Sequence, residues 1–282
     1  MDANSATRLK SKTIPTVLAY ALLIAMAVFI LAPVVWIVIN SFKTNKELFA
    51  DSLALPKKWI FQNYVDAWNK GLYKYFGNSL LVSAISVAGI LAFSALLAYG
   101  LTRFRAKGRN VIFIIVLGGM ALSEQVALVP LFKIMTATGL YNTRAAVILP
   151  YIAFRIPFTV FLMRSYFLSI PVELEEAATL DGLNSFQIFL QIILPISKPI
   201  IASCAIVNLN FVWNEFLFAN VFLNNRDLQT IPIGLMTFKG DLRMDYTVTL
   251  AGLIIASLPL IILFCAMSKQ FVRGLTAGAV KG

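Results

Sequence analysis

YFGNSLLVSAISVAGILAFSALLAYGLT, residues 75–102, holds no charged side chain. A helix needs about 20 predominantly apolar residues to cross a bilayer, and this run is longer. Outward from it, residues 13–42 and 246–268 are equally free of Asp, Glu, Lys and Arg, and further apolar runs lie between them. Of the 282 residues 59% are apolar and 13% charged, against a soluble norm of roughly half and a quarter. A water-soluble fold of this size could not hide that much apolar surface. Spans are expected near residues 17–39, 78–101, 111–132, 145–164, 198–222 and 247–268. The fold class is therefore an all-α membrane protein of about six transmembrane helices, read as a single domain over residues 1–282.

The charges sit between the apolar runs. A net charge of +11 could suggest nucleic acid, but Lys and Arg form no single basic face, and contact with anionic lipid head groups accounts for them. Arg103, Arg105, Lys107 and Arg109 fill a short turn, and Arg8, Lys10 and Lys12 lie in the N-terminal tail. Basic residues in short loops mark the cytoplasmic side, so both termini are expected there. The longer loop of residues 41–74 also carries six Lys, among them Lys57 and Lys58, but it mixes them with Glu47, Asp51 and Asp66 and is assigned to the outside. Cys204 and Cys265 fall within predicted spans, far from any metal-ligand spacing, and read as small core residues without a disulfide. The first apolar run is too long for the core of a cleavable signal peptide and is expected to remain as span one.

Residues 169–197, SIPVELEEAATLDGLNSFQIFLQIILPIS, interrupt the pattern. They read as two short helices in the cytoplasmic segment between spans four and five. Pro171 and the acids Glu173, Glu175 and Glu176 suit a helix start, where negative charge favours the positive end of the dipole. Asp181 and Gly182 stop that helix, because Gly takes a positive φ without a Cβ clash. Asn184 can cap a second helix while Gln187 reaches back, and Pro195 limits its length. Ala177, Ala178, Leu180, Leu183, Phe186, Ile188 and Phe189 are too many apolar residues for a loop in water. The segment is either an amphipathic hairpin lying on the membrane or a knob that docks into another protein.

Here the chain resembles a family. Glu176-Ala177-Ala178, three residues, Gly182, nine residues, then Ile192-Ile193-Leu194-Pro195 matches the EAA motif of permease subunits of ATP-binding-cassette (ABC) importers. SFKTNKELFA, NYVDAW, FGNSLLVS, VWNEFLFA and FVRGLTAGAVKG are similar to the carbohydrate-uptake branch, in the style of the second maltose-type permease subunit. The resemblance implies a type I importer permease fold, with residues 169–197 as a coupling segment that fits a groove on a separate ATPase. Glu175, Glu176, Ala177, Ala178, Asp181, Gly182, Ile192, Leu194 and Pro195 would shape that contact. It also implies that the tail, residues 269–282, rests on the ATPase subunits. The implied partners are a second, different permease subunit, two ATPase subunits that hold ATP and Mg, and an extracytoplasmic solute-binding protein. The location would be the inner membrane of a prokaryote.

The residues agree in what they lack. No G-x-x-x-x-G-K-[ST] phosphate loop occurs, so ATP hydrolysis is expected in partners and no cofactor or metal in this chain. With no His and no paired carboxylates in its spans, the chain offers no catalytic residues for a membrane-embedded enzyme. A passive channel would have no use for a docking knob. The charges placed within spans are Glu124, Arg155 and Glu215, each open to reading as an interface group or a functional one.

Span five, NLNFVWNEFLFANVF from Asn208 to Phe222, is the candidate substrate wall. On a continuous helix at about 100° per residue, Asn208, Asn210, Phe211, Asn214, Glu215, Phe218 and Phe222 share one sector, with Trp213 outside it. Amides and carboxylates satisfy hydroxyls while aromatic faces cover apolar C–H patches, which suits a sugar. The same surface suits a polyol or glycerol phosphate, and the Asn residues could instead bond neighbouring helices.

Overall fold

The computed structural model describes the backbone of residues 3–104, 107–238 and 245–279, with side chains at 16, 18–104, 107–238 and 245–267. The readings made on Arg8, Lys10, Lys12, Arg105 and the tail side chains lie outside those residues. Among the described residues every regular element is helical: α1 (Ala3–Ser41), α2 (Asn45–Ala50), α3 (Gln62–Ala67), α4 (Tyr73–Arg103), α5 (Arg109–Gly118), α6 (Glu124–Ala137), α7 (Ala145–Phe167), α8 (Glu173–Leu180), α9 (Ser185–Ile188), α10 (Leu194–Ile196), α11 (Lys198–Asn214), α12 (Leu217–Phe222), α13 (Ile231–Met236) and α14 (Tyr246–Ala279). Among the described residues four stretches are long and apolar enough to span a membrane, or up to six if each of two bent pairs, Arg109–Ala121 with Glu124–Ala137 and Ser185–Ile196 with Lys198–Asn214, is one span.

The contacts divide the chain into two compact units. The first comprises Met1–Lys70 and Phe238–Ile255. In it α1 presents Leu18, Leu22, Phe29 and Val35 outward, an apolar surface suited to lipid. The loop after α1 is ordered by polar contacts. Thr44 and Glu47 cap α2 reciprocally, Asn63 donates to the carbonyls of Ser41 and Lys43 at 2.7 and 2.9 Å, and the buried Lys43 ammonium donates to the Asp51 carbonyl at 3.0 Å. The backbone amides of Leu53 and Ala54 hold the Asp51 carboxyl below its usual range. Asp245 accepts from Asn45 and pairs with Lys70. Trp59, Phe61 and Tyr64 surround the Phe42 ring.

The second unit, Gly71–Thr237 and Ala256–Gly282, contains the candidate sites. α4 packs along α7 and also against α11. Gly89 permits the first approach, since a Cβ there would sit 2.6 Å from the Ile152 side chain. One apolar cluster joins α4, α7 and α11 to the helices of residues 173–196. Another joins α4 and α7 to α12 and α13. Trp213 is buried, and its indole donates to the Ala256 carbonyl at 3.0 Å.

Four expectations are corrected. Span three is not one straight helix: Arg109–Ala121 and Glu124–Ala137 meet at 97°, because Leu122 and Ser123 are extended between them. Glu124 therefore occupies the first turn of α6, where the helix dipole favours an acid. Span five also breaks, with α11 ending at Asn214 and Glu215 extended at ψ 127°. Pro195 does not end the second hairpin helix. A wide π turn over Phe189–Ile193 precedes it and the chain stays helical to Ile196, since a widened turn shifts the carbonyl a proline ring would strike. Finally, Cys204 is buried as expected, but Cys265 is exposed.

Candidate coupling hairpin and span-five face

The hairpin forms as its capping residues dictate. Gly182 has φ +86°, and a Cβ there would meet nothing within 4 Å. The turn therefore selects glycine for backbone strain and not for space. Asn184 Oδ1 accepts from the amides of Phe186 and Gln187 at 3.1 and 2.9 Å, and Gln187 Oε1 accepts from the Asn184 amide at 2.9 Å. This is the capping box that the spacing suggested.

The motif residues divide by face. Glu176, Ala177, Asp181, Gly182 and Pro195 are exposed, whereas Ala178 is 3% exposed and sits in the apolar cluster with Ile188, Phe189 and Ile193. Ile192 and Leu194 are half-buried against that cluster. Glu175 turns inward: it pairs with Arg103 at 2.5 Å, with the two side chains only 12% and 11% exposed, and Tyr99 at the end of α4 donates to it at 3.4 Å. Outward stand Leu180, 89% exposed, and Phe186, 61% exposed. These two dominate the free apolar surface of the hairpin, and the motif by itself did not mark them. An apolar groove of about 370 Å³ runs beside the second helix, lined by Leu91, Ala95, Phe186, Phe189, Leu190 and Ile201.

The span-five residues do not form one continuous helical wall, because the chain is extended at Glu215 between α11 and α12. Asn208 is fully buried. Its amide donates to Thr159 Oγ1 at 3.0 Å and to the Cys204 carbonyl at 2.8 Å, and its Oδ1 accepts from Arg155 Nε at 3.0 Å. The Arg155 guanidinium lies 4.4 Å over the Phe211 ring. Glu215, 8% exposed, closes the helix break: it accepts from the amides of Phe218 and Ala219 at 2.8 and 3.2 Å and from the buried Tyr151 hydroxyl. Phe218 is buried, stacked on Phe222 at 5.7 Å. Of the expected wall, Asn210 and Asn214 remain exposed, joined by the Asn214 amide donating to the Asn210 carbonyl at 2.8 Å. Sequence reasoning missed Tyr151 and Thr159. Their offset of eight residues on one face of α7, with Arg155 between, was the available signal.

Among the described residues no cluster of His, Cys, Asp and Glu could hold a metal. Residues 87–276, two thirds of the chain, match the family model described as binding-protein-dependent transport system inner membrane component. The chain belongs to that family. It is 50% identical over 250 residues to the "Probable ABC transporter permease protein YurM" of Bacillus subtilis, covering 89% of this chain and 83% of that one. It is 32% identical to the diacetylchitobiose uptake system permease protein NgcG of Streptomyces coelicolor, covering 94% and 88%. A crystal structure of a bacterial ABC transporter involved in the import of the acidic polysaccharide alginate superposes with a TM-score of 0.82, at 26% identity, over 93% of this chain and 98% of that one. The chain is thus a multi-pass ABC importer permease of the inner membrane. In this family it moves solute rather than transforms it, and separate subunits hydrolyse ATP.

Proposed function

We propose that this permease imports a sugar or oligosaccharide by alternating access, forming half of the pathway beside a second, different permease subunit. Two ATPase subunits, holding ATP and Mg, drive it from the cytoplasm, and a solute-binding protein delivers substrate outside. The observation that carries this reading is the hairpin: Leu180 stands bare at the end of α8, just before the Gly182 turn, while the base of the hairpin is locked into the span ends. An apolar side chain held that far into water needs a cover, and a groove on an ATPase supplies one. Glu176, Ala177, Asp181 and Gly182 would meet that groove. Glu175, Ala178, Ile192 and Leu194 would support the hairpin from behind, and the exposed Pro195 would shape the end of its second helix.

The sugar reading draws on relatives whose names cite diacetylchitobiose and alginate, together with the exposed amides of Asn210 and Asn214. A polyol or glycerol phosphate would find the same amides. Arg155 with Asn208, and Glu215 with Phe218, would stiffen the pathway from inside. Both termini would be cytoplasmic. A Cys at Lys57 should then react with an impermeant thiol reagent in intact cells, and one at Lys107 should not. The decisive experiment is purification through a tag on this chain, identification of co-purifying subunits, and ATP-dependent uptake of radiolabelled disaccharides and glycerol phosphate into proteoliposomes. Uptake without ATP, or no ATPase subunit in the complex, would sink the proposal.

A further inference from the structure

The inward half of the hairpin holds an arrangement that docking does not require. Arg103, in the last turn of α4, points one nitrogen at the carbonyls of Phe167, the last residue of α7, and Ile170 just beyond it, each at 3.0 Å. The same guanidinium pairs with Glu175 on α8. One turn earlier, the Tyr99 hydroxyl shares its single proton between the Ser185 carbonyl at the start of α9, at 3.2 Å, and the Glu175 carboxylate, at 3.4 Å. Its ring lies 5.0 Å from Phe189. Two side chains of one span thus reach both hairpin helices and the end of a second span.

Each link is nearly dry. Tyr99 is 6% exposed, and the Arg103 and Glu175 side chains are 11% and 12% exposed. A buried ion pair is a poor source of net stability, because desolvation offsets most of its attraction. Arg103 Nε and Glu175 Oε1 form an ion pair without hydrogen-bond geometry. The guanidinium is nonetheless constrained, because its planar fork must reach two carbonyls with one nitrogen while Nε lies against the carboxylate. Coupling over a distance requires elements that move as one body, because packed interfaces do not deform continuously.

We propose that Arg103, Tyr99 and Glu175 are positioning residues that make the hairpin, α4 and the end of α7 a single lever. Force received at Leu180 would move span two as directly as it moves spans four and five. This rests on the reading of the hairpin as the ATPase-docking element. The EAA segment then has two acids with different work: Glu176 faces outward and Glu175 faces the lever.

The test is a distance measured by electron paramagnetic resonance between spin labels at Phe93 on α4 and Glu173 on α8, both exposed and neither in the proposed contact. It uses the assembled transporter in lipid nanodiscs, in a Cys204→Ala/Cys265→Ala background, with no nucleotide and after trapping with ADP and vanadate. The lever predicts a distance that changes by less than about 2 Å on trapping, the scale of a local helix adjustment. In Glu175→Gln the distribution should broaden and shift on trapping while the ATPase subunit still co-purifies, and Glu175→Asp should restore the narrow distance. If Glu175→Gln fails to assemble, Arg103→Lys serves, since an ammonium keeps the charge but cannot span all three acceptors. A wild-type distance that shifts by more than that, or a Glu175→Gln distance as fixed as wild type, overturns the lever. Undiminished ATPase binding by Leu180→Asp would overturn the docking reading instead, and it is seen in subunit composition rather than in the distance.

Discussion

The hairpin of α8 and α9 and the break between α11 and α12 treat their side chains in opposite ways. At the hairpin, apolar residues stand in the open, with Leu180 and Phe186 uncovered. At the break and along α11 before it, polar residues are sealed inside and satisfied by neighbouring groups, with Glu215 taking three donors and Asn208 engaging three partners. An uncovered apolar side chain and a fully satisfied buried polar one call for different explanations: the first lacks a partner in this chain, the second has found its partners already. Within one permease, surfaces for other molecules are therefore better sought where side chains remain unmatched than where they are chemically rich.

The harshest way to break that comparison is Glu215→Ala. It would strand the Tyr151 hydroxyl and the amides of Phe218 and Ala219, at about 1–3 kcal/mol for each buried donor left unpaired. The purified protein should melt well below wild type in detergent or fail to accumulate, while Glu215→Gln, which keeps an acceptor oxygen, should lose less. An Ala variant that melts normally would mean that the break is held by something else. Next in size is a pair of neighbours. Ala178→Glu buries a charge and should destabilise by about 3 kcal/mol or more. Ala177→Glu, on the open face, should stay within about 0.5 kcal/mol of wild type yet abolish ATPase co-purification. Equal melting temperatures for the two would erase the distinction between inner and outer face.

Gly182→Val tests the turn alone. No neighbouring atom opposes the new side chain, so the expected cost is backbone strain of about 1–2 kcal/mol, seen as lost transport with membrane insertion retained. Normal transport would show that the turn tolerates relaxation. The smallest effect is expected at Asn214→Ala, where one exposed amide is removed. Uptake kinetics or substrate preference should change while assembly and basal ATPase activity hold. Reduced assembly with an unchanged preference would make Asn210 and Asn214 an interface instead of a pathway wall.

Much of the hairpin was legible because its signals are local. Gly182 at positive φ and the Asn184–Gln187 cap depend on residues within four positions of each other. Span five was misread for the complementary reason. A wheel drawn from Asn208 to Phe222 assumes unbroken hydrogen bonding, and nothing local forbids it. The break at Glu215 is stabilised by Tyr151, 64 residues away in sequence, a pairing that periodicity cannot register. The bend before Glu124 was illegible in the same way, since the 97° turn depends on an extended pair, Leu122 and Ser123, in an otherwise apolar run.

The sequence alone determined that the chain is helical and membrane-spanning, where most of its apolar runs lie, and where the two short hairpin helices sit. Those follow from apolar run length and from capping chemistry, which act over one or two turns. Only the tertiary structure decided which face of each helix is used. Glu175 turns to Arg103 while Glu176 beside it stays free, and Asn208 is sealed while Asn210 is open. Adjacent residues on a helix differ by about 100° in direction, and which direction is inward is fixed by the neighbouring helices, not by the helix that bears them.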